Sequence, residues 1–343
     1  MAIAASLRRG RDYVVSHRLR VLVFLGVLVC AGSVGVGAVV IHDGPRRFTI
    51  VVLPDTQYYV EKYPQVLVDQ VGWILEERQR RNIAFVSHEG DIVEHFDDEV
   101  EWGRANEALS RLIGVVPLGL LPGNHDMSPE GGTSEFNRYF GADRFRRFSW
   151  YGGSYPPGKN DNSFQLFAAG GYDFGLFSID ADRYLILHMA FCPEPDVVDW
   201  ADQVLRNHSD RHAILVTHAY LNTFGERHTR QPEFGCKDPT SNTQYLFDQL
   251  VFPHPSVFLV LSGHEFDIPR GLGESRRVDP NEAGQPVEQL LADFQSRSQG
   301  GEGWLRILTF DRKAGQVYVR TYSPTLGRYE QDQDSNFRFE YPN

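Results

Sequence analysis

Asp55, Asp91, Asn124, His125, His218 and His264 stand out because each closely follows a short apolar run and carries a carboxylate, amide or imidazole group. Such donors form a mixed hard and borderline set suited to Zn, Mn or Fe. A lone Asp after a strand is ordinarily a turn or cap residue. Donors at five strand ends point instead to one shared centre. Two ions held about 3.5–4 Å apart by such a set clamp a phosphoryl group and hold a hydroxide for in-line attack. The chemistry expected is hydrolysis of a phosphate ester, either a phosphomonoester or a phosphodiester.

The intervening sequence supplies elements able to position these groups. Phe48-Thr49-Ile50-Val51-Val52-Leu53 suits a buried strand, closed by Pro54 with Asp55 at its tip. Apolar spacing predicts a helix over 64–81, a strand over 83–87 leading to Gly90-Asp91, and a helix over 98–113. A strand over 115–121 then leads to Gly123-Asn124-His125-Asp126. The alternation predicts parallel strands with helices packed outside, and functional groups collect at the carboxyl ends of such strands. The Gly- and aromatic-rich stretch 141–171 reads as a loop or short hairpins, with strands expected at 163–167 and 172–180. A helix is expected over 193–207, a strand over 213–217 ending at His218, and another over 257–261 ending at Gly263-His264. Strands and turns alternate from 289 to 322. The aromatic pairs Tyr58-Tyr59 and Trp150-Tyr151 suit either a pocket lining or ordinary packing.

The series Asp55-Thr56-Gln57, Gly90-Asp91-Ile92-Val93-Glu94, Gly123-Asn124-His125-Asp126, Thr217-His218 and Gly263-His264 resembles the calcineurin-like metallophosphoesterase family over about residues 48–323. Leu53-Pro54-Asp55-Thr56-Gln57 and the stretch from Ala292-Asp293-Phe294-Gln295 to Gly303-Trp304-Leu305-Arg306 resemble a bacterial, exported branch of it. The resemblance implies a four-layer α/β/β/α sandwich with two mixed central sheets and a site for two divalent ions (Mn, Fe, Zn or Mg). It makes Asp91 the bridging carboxylate. Asn124, His218 and His264 complete a second metal position, and Asp55 with Gln57 serves the first. It places Asn124 and His125 at the substrate, with His125 protonating the leaving oxygen or holding the phosphate. Asp126 either orients His125 or makes a loop hydrogen bond.

Two positions depart from the family pattern. Gln57 stands where His is common, and Phe266 stands where Gly263-His264-Glu265-Phe266 should end in a second His. Both belong to the first metal position, and Phe266 cannot coordinate. Glu265 or Asp267 swinging in is one remedy; a hard, oxygen-loving ion such as Mn or Mg is another. The same departures motivate an alternative reading, a non-catalytic or weakly active binding module on the same scaffold holding a single ion. Among the other histidines, His88 is either a neighbour of the metal ligands or a satisfied strand-end residue. His95 reads as a loop residue and His188 as structural.

The first forty residues differ from the rest. Residues 1–20 carry Arg8, Arg9, Arg11, Arg18 and Arg20, and 21–41 is an uncharged apolar run. Such a run is about long enough to span a bilayer as a helix, and the flanking arginines orient its N-terminal side to the cytoplasm. A single-pass membrane anchor with an extracytoplasmic catalytic domain is the expectation; a cleaved signal segment, leaving a secreted protein, is the alternative. Residues 42–47 read as a linker and 48–343 as one catalytic domain. Cys192 and Cys236 are a disulfide candidate in that compartment. The net charge of -11, without a basic block in the domain, argues against nucleic acid as a partner. The partners expected are a phosphorylated substrate and the membrane.

Overall fold

The computed structural model describes residues 47–169, 182–227, 242–267 and 272–341, with the backbones of three short strands at 42–43, 172–173 and 178–179. The apolar run 21–41, the basic segment before it and Cys236 lie outside the described residues. Among the described residues, no helix is long and apolar enough to cross a membrane.

The N-terminal half alternates as expected. β1 (Arg47–Leu53) leads to α1 (Gln57–Lys62) and α2 (Gln65–Glu77), β2 (Ile83–His88) to α3 (Glu99–Leu109), and β3 (Leu118–Gly119) to α4 (Ser134–Phe140). The three strands run parallel. They continue, through antiparallel pairing with β1, into the C-terminal strands. The second sheet begins with the hairpin of β4 (Tyr151–Tyr155) and β5 (Asn162–Ala169). It continues with β6 (Asp182–Met189), helix α5 (Pro195–Asn207), β7 (His212–Thr217) and β8 (Val257–Ser262). β9 (Glu274–Pro280) and β10 (Pro286–Ala292) complete it, with β6, β7, β8 and β10 parallel. The first sheet is finished by β11 (Leu305–Asp311), β12 (Gln316–Ser323), β13 (Arg328–Tyr329) and β14 (Asn336–Glu340).

Side-chain alternation sorts these strands into layers. Phe48, Ile50 and Val52 of β1 meet Ile214 and Val216 of β7 in a core between the sheets. Val51 and Leu53 face the opposite way, onto the helices α1 to α3. Leu215 of β7 likewise faces α5. Both sheets are therefore buried on two faces, which is why their central strands read as continuous apolar runs. Each buried Val, Ile, Leu or Phe contributes roughly 1.5–3 kcal/mol to holding the layers together.

The sequence reading overreaches in several places. The strand expected over 115–121 is only Leu118–Gly119, because Pro117 and Pro122 have no N–H to give a ladder. Within the span expected as one strand over 172–180, the described Tyr172–Asp173 and Ser178–Ile179 pair antiparallel with each other instead of lying on one strand. The helix expected over 98–113 stops at Leu109 in a short 3-10 turn, and the one expected over 64–81 stops at Glu77. The β4–β5 hairpin falls in the stretch read as a loop or short hairpins and bears out the hairpin reading, with its second strand over the 163–167 segment expected.

Candidate metal centre

Each donor sits just beyond the carboxyl end of a parallel strand. Asp55, Asp91 and Asn124 follow β1, β2 and β3; His218 and His264 follow β7 and β8. The glycines preceding the donors are needed for close approach. A Cβ on Gly123 would lie 2.1 Å from Asp91 Oδ1, and one on Gly263 would lie 2.0 Å from Asp55 Oδ2. Asp91 (φ +49°) and His264 (φ +75°) both hold the left-handed backbone region. Such strain persists where the surroundings over-determine it, as they do at functional sites.

The groups converge. His218 Nε2 lies 2.9 Å from Asn124 Oδ1, 3.3 Å from Asp91 Oδ1 and 3.1 Å from His264 Nδ1. Its Nδ1 is 2.9 Å from the Glu89 carbonyl, which takes the Nδ1–H and turns Nε2 into the site. The ligand atoms of Asp91, His218 and His264 all lie within 4.8 Å of one another. Asp55 Oδ1 accepts from the His264 amide at 3.0 Å, and Gln57 Nε2 donates to Asp91 Oδ2 at 2.9 Å. Asp55 Oδ2 and Gln57 Oε1 are buried without a hydrogen bond.

Charge is concentrated here. Asp55, Glu89, Asp91, Asp126 and Asp293 are all buried. Burial, then Asp293 and Asp91, hold the Asp55 carboxyl well above its usual range. Burial and Asp91 push Asp126 up to about 7. Asp91 is held down to about 2 because, against its burial, His218, His125 and His264 surround it. Burial lowers the basicity of His218, but Asp91 outweighs it and the ring is raised overall. Buried carboxylates in this number either take up protons or are paired with cations. Two buried oxygens without hydrogen bonds, beside a carboxylate and two imidazoles, fit divalent metal ions on donor chemistry.

The remaining site residues divide. His125 donates its amide to Asp91 Oδ1 at 2.9 Å, while its Nδ1 lies 3.0 Å from the Glu94 carbonyl and 3.3 Å from Glu94 Oε2. Asp126 does not orient it. The Asp126 carboxylate accepts from the amides of Ile92, Val93 and Gly123, pinning the loop after Asp91 to the loop before Asn124. Those amides are buried in a turn and need an acceptor. Phe266 offers no donor to the first metal position. His88 is a satisfied buried residue, with Nε2 3.2 Å from Thr56 Oγ1 and Nδ1 accepting from the Gly90 amide. His95 pairs with Glu101, and His188 is held in the core by Ser87 and Gln165. Tyr59 and the Trp150-Tyr151 pair pack in the core around α1 to α4. Cys192 is disulfide-bonded; its expected partner Cys236 lies outside the described residues.

Sequence reasoning missed Glu94 as the partner of His125, and it missed Glu89 and Asp293 as buried charges. Asp293 carried a usable signal, since it follows β10 as His264 follows β8.

Two mixed sheets with metal donors at their facing strand ends define a metal-dependent phosphoesterase scaffold. The calcineurin-like phosphoesterase profile matches residues 48–267, and the chain belongs to that family of hydrolases. It is 38% identical over 282 residues to the uncharacterized protein YvnB of Bacillus subtilis (strain 168), an alignment that covers 81% of this chain. The chain spans only 20% of the length of that relative. A dimetal phosphatase from Danio rerio shares the fold, with a TM-score of 0.50 at 12% identity, covering 86% of this chain and 99% of that one.

Proposed function

We propose that the chain hydrolyses a phosphomonoester or phosphodiester at a centre for two divalent ions. The observation that carries this is the convergence of Asp91, His218 and His264 within 4.8 Å, beside the unbonded buried oxygens of Asp55 and Gln57. Asp91, Asn124, His218 and His264 would hold one ion; Asp55, Gln57 and Asp91 would hold the other. Bound there, the ions polarise phosphoryl oxygens and lower the pKa of water.

The chain's own residues do the rest. Glu89 and Glu94 fix the two catalytic-face imidazoles. The Glu89 carbonyl turns Nε2 of His218 inward. Glu94 holds Nδ1 of His125, leaving Nε2 to carry a proton to the leaving oxygen. Asp126 fixes the separation of the Asp91 and Asn124 loops through backbone bonds. Phe191 packs on both metal-site histidines, with ring centroids 5.7 Å from His218 and 5.3 Å from His264. It also lines a cavity of about 290 Å³ with Met127, Thr133, Tyr155, Lys159 and Glu194. That cavity is the place for the alcohol portion of the substrate. The basic segment 1–20 and the apolar run 21–41 support a membrane-anchored or exported protein with this domain outside the cytoplasm.

The test is turnover of aryl phosphate monoesters and diesters with added Mn, comparing the wild type with Asp91→Ala. Turnover lost in the variant is expected. No turnover above the variant across a panel of such esters and metals would sink the enzymatic proposal in favour of a binding module.

A further inference from the structure

On the two-ion reading just proposed, the first metal position is short of donors, because Phe266 occupies the place of a ligand. We propose that Asp293 supplies the missing ligand, so that the first position is an all-oxygen site built from Asp55, Gln57, Asp91 and Asp293.

The sheet order puts Asp293 there. In the second sheet β7, β8 and β10 are parallel neighbours, and Ser262 pairs with Leu291. Two residues further along each strand, Asp293 draws level with His264. His218, His264 and Asp293 thus form a row. Across from it the neighbours β3, β2 and β1 present Asn124, Asp91 and Asp55 in the matching order. The contacts join the rows in that sequence. His218 Nε2 meets Asn124 Oδ1 at 2.9 Å and Asp91 Oδ1 at 3.3 Å, and Asp55 Oδ1 takes the His264 amide at 3.0 Å. The next step along both rows brings Asp293 to Asp55. Arg306 fixes that end: it pairs with Val52 of β1 in the ladder and donates to the Leu291 carbonyl of β10 at 3.2 Å.

The side chain is also prepared as a ligand. Asp293 is 1% exposed. Its amide donates to the Gly273 carbonyl at 2.6 Å, which locks the backbone. One carboxylate oxygen accepts from the Gln295 amide at 2.9 Å and the other from Gln295 Nε2 at 3.0 Å. An ionised carboxylate has about four acceptor positions, so each oxygen keeps capacity for a cation. Hydrogen-bonded carboxylates of this kind are the usual form of an oriented metal ligand. An all-oxygen position takes Mn or Mg, whereas the imidazole-bearing position beside it also accepts Zn.

The experiment counts Mn ions per chain by elemental analysis and titration calorimetry, for the full chain and for Asp293→Asn and Asp293→Ala. The Asn variant keeps the shape and the Gln295 amide bond, so it decides the matter even where the Ala variant fails to fold. The expected result is two ions in the wild type. In the variants one ion binds with wild-type affinity, and the second binds at least about 10-fold more weakly. Two ions bound by Asp293→Asn with wild-type affinities would overturn the assignment and leave the two-ion centre standing. One ion in the wild type would overturn both.

Discussion

At the scale of single residues, His125 is the group whose role the geometry refines most. It lies beside the ligands without being one: its amide is tied to Asp91 and its ring to Glu94. Proton delivery by a positioned side chain is worth roughly 10²–10⁴-fold in rate. His125→Asn should therefore lower kcat by about 10²-fold or more with both ions retained, as steady-state kinetics and metal analysis on one preparation would reveal. Glu94→Gln should cost less, since the Glu94 carbonyl still holds Nδ1. A His125→Asn enzyme with wild-type kcat would remove the imidazole from the mechanism. Asp91, Asn124, His218 and His264 were legible because each follows an apolar run and three of them follow glycine. The Asp126 role was not, because a carboxylate one residue from a histidine has the same sequence whether it turns to the ring or to buried amides. Glu94 was hidden for a related reason, as its partnership depends on a loop without periodicity.

At the scale of elements, strand ends carry the site and strand interiors explain the errors. β1 and β7 were readable as unbroken apolar runs because both faces are buried. β3 was not, since its two proline neighbours interrupt pairing that its apolar side chains suggest. Its Gly119 packs directly on β6: a Cβ there would lie 2.0 Å from His188 Cε1. His188 is consequently a buried, neutral histidine, its pKa lowered to about 3 by burial and then by His88. In the unfolded chain that ring titrates near 6.5. Between these values the unfolded state binds a proton that the folded state refuses. Stability is therefore full above about pH 6.5 and is lost as pH falls toward 3, by about 1.4 kcal/mol per pH unit for this ring. Denaturant unfolding at pH 7 and pH 5 should show a loss of about 2 kcal/mol attributable to His188. His188→Gln should flatten the profile by that amount. An unchanged slope in the variant would show that the ring is protonated in the fold.

At the scale of the molecule, the centre belongs to neither sheet alone. Three strand ends of the first sheet face the strand ends of the second, and the inter-sheet core around Ile50, Val52, Ile214 and Val216 sets their separation. Parallel strands with helices outside followed from the strand and helix alternation; the two-sheet plan came only from the family resemblance that the motif series carries. The pairing of the C-terminal strands into both sheets followed from neither, because antiparallel partners are chosen by tertiary contacts that local patterning does not encode. The N-terminal segment gives the proposal on location its own test. In a bacterial host the full chain should resist alkaline extraction from membranes, and deletion of 1–41 should release it. A full chain recovered in the cytosolic fraction would refute both anchoring and export. The most direct test of the whole account is a crystal of the protein grown with Mn and measured at the Mn absorption edge. The account predicts two anomalous peaks about 3.5–4 Å apart, bridged by Asp91, one against Asn124, His218 and His264 and one against Asp55. A single peak, or none among these residues, would contradict it.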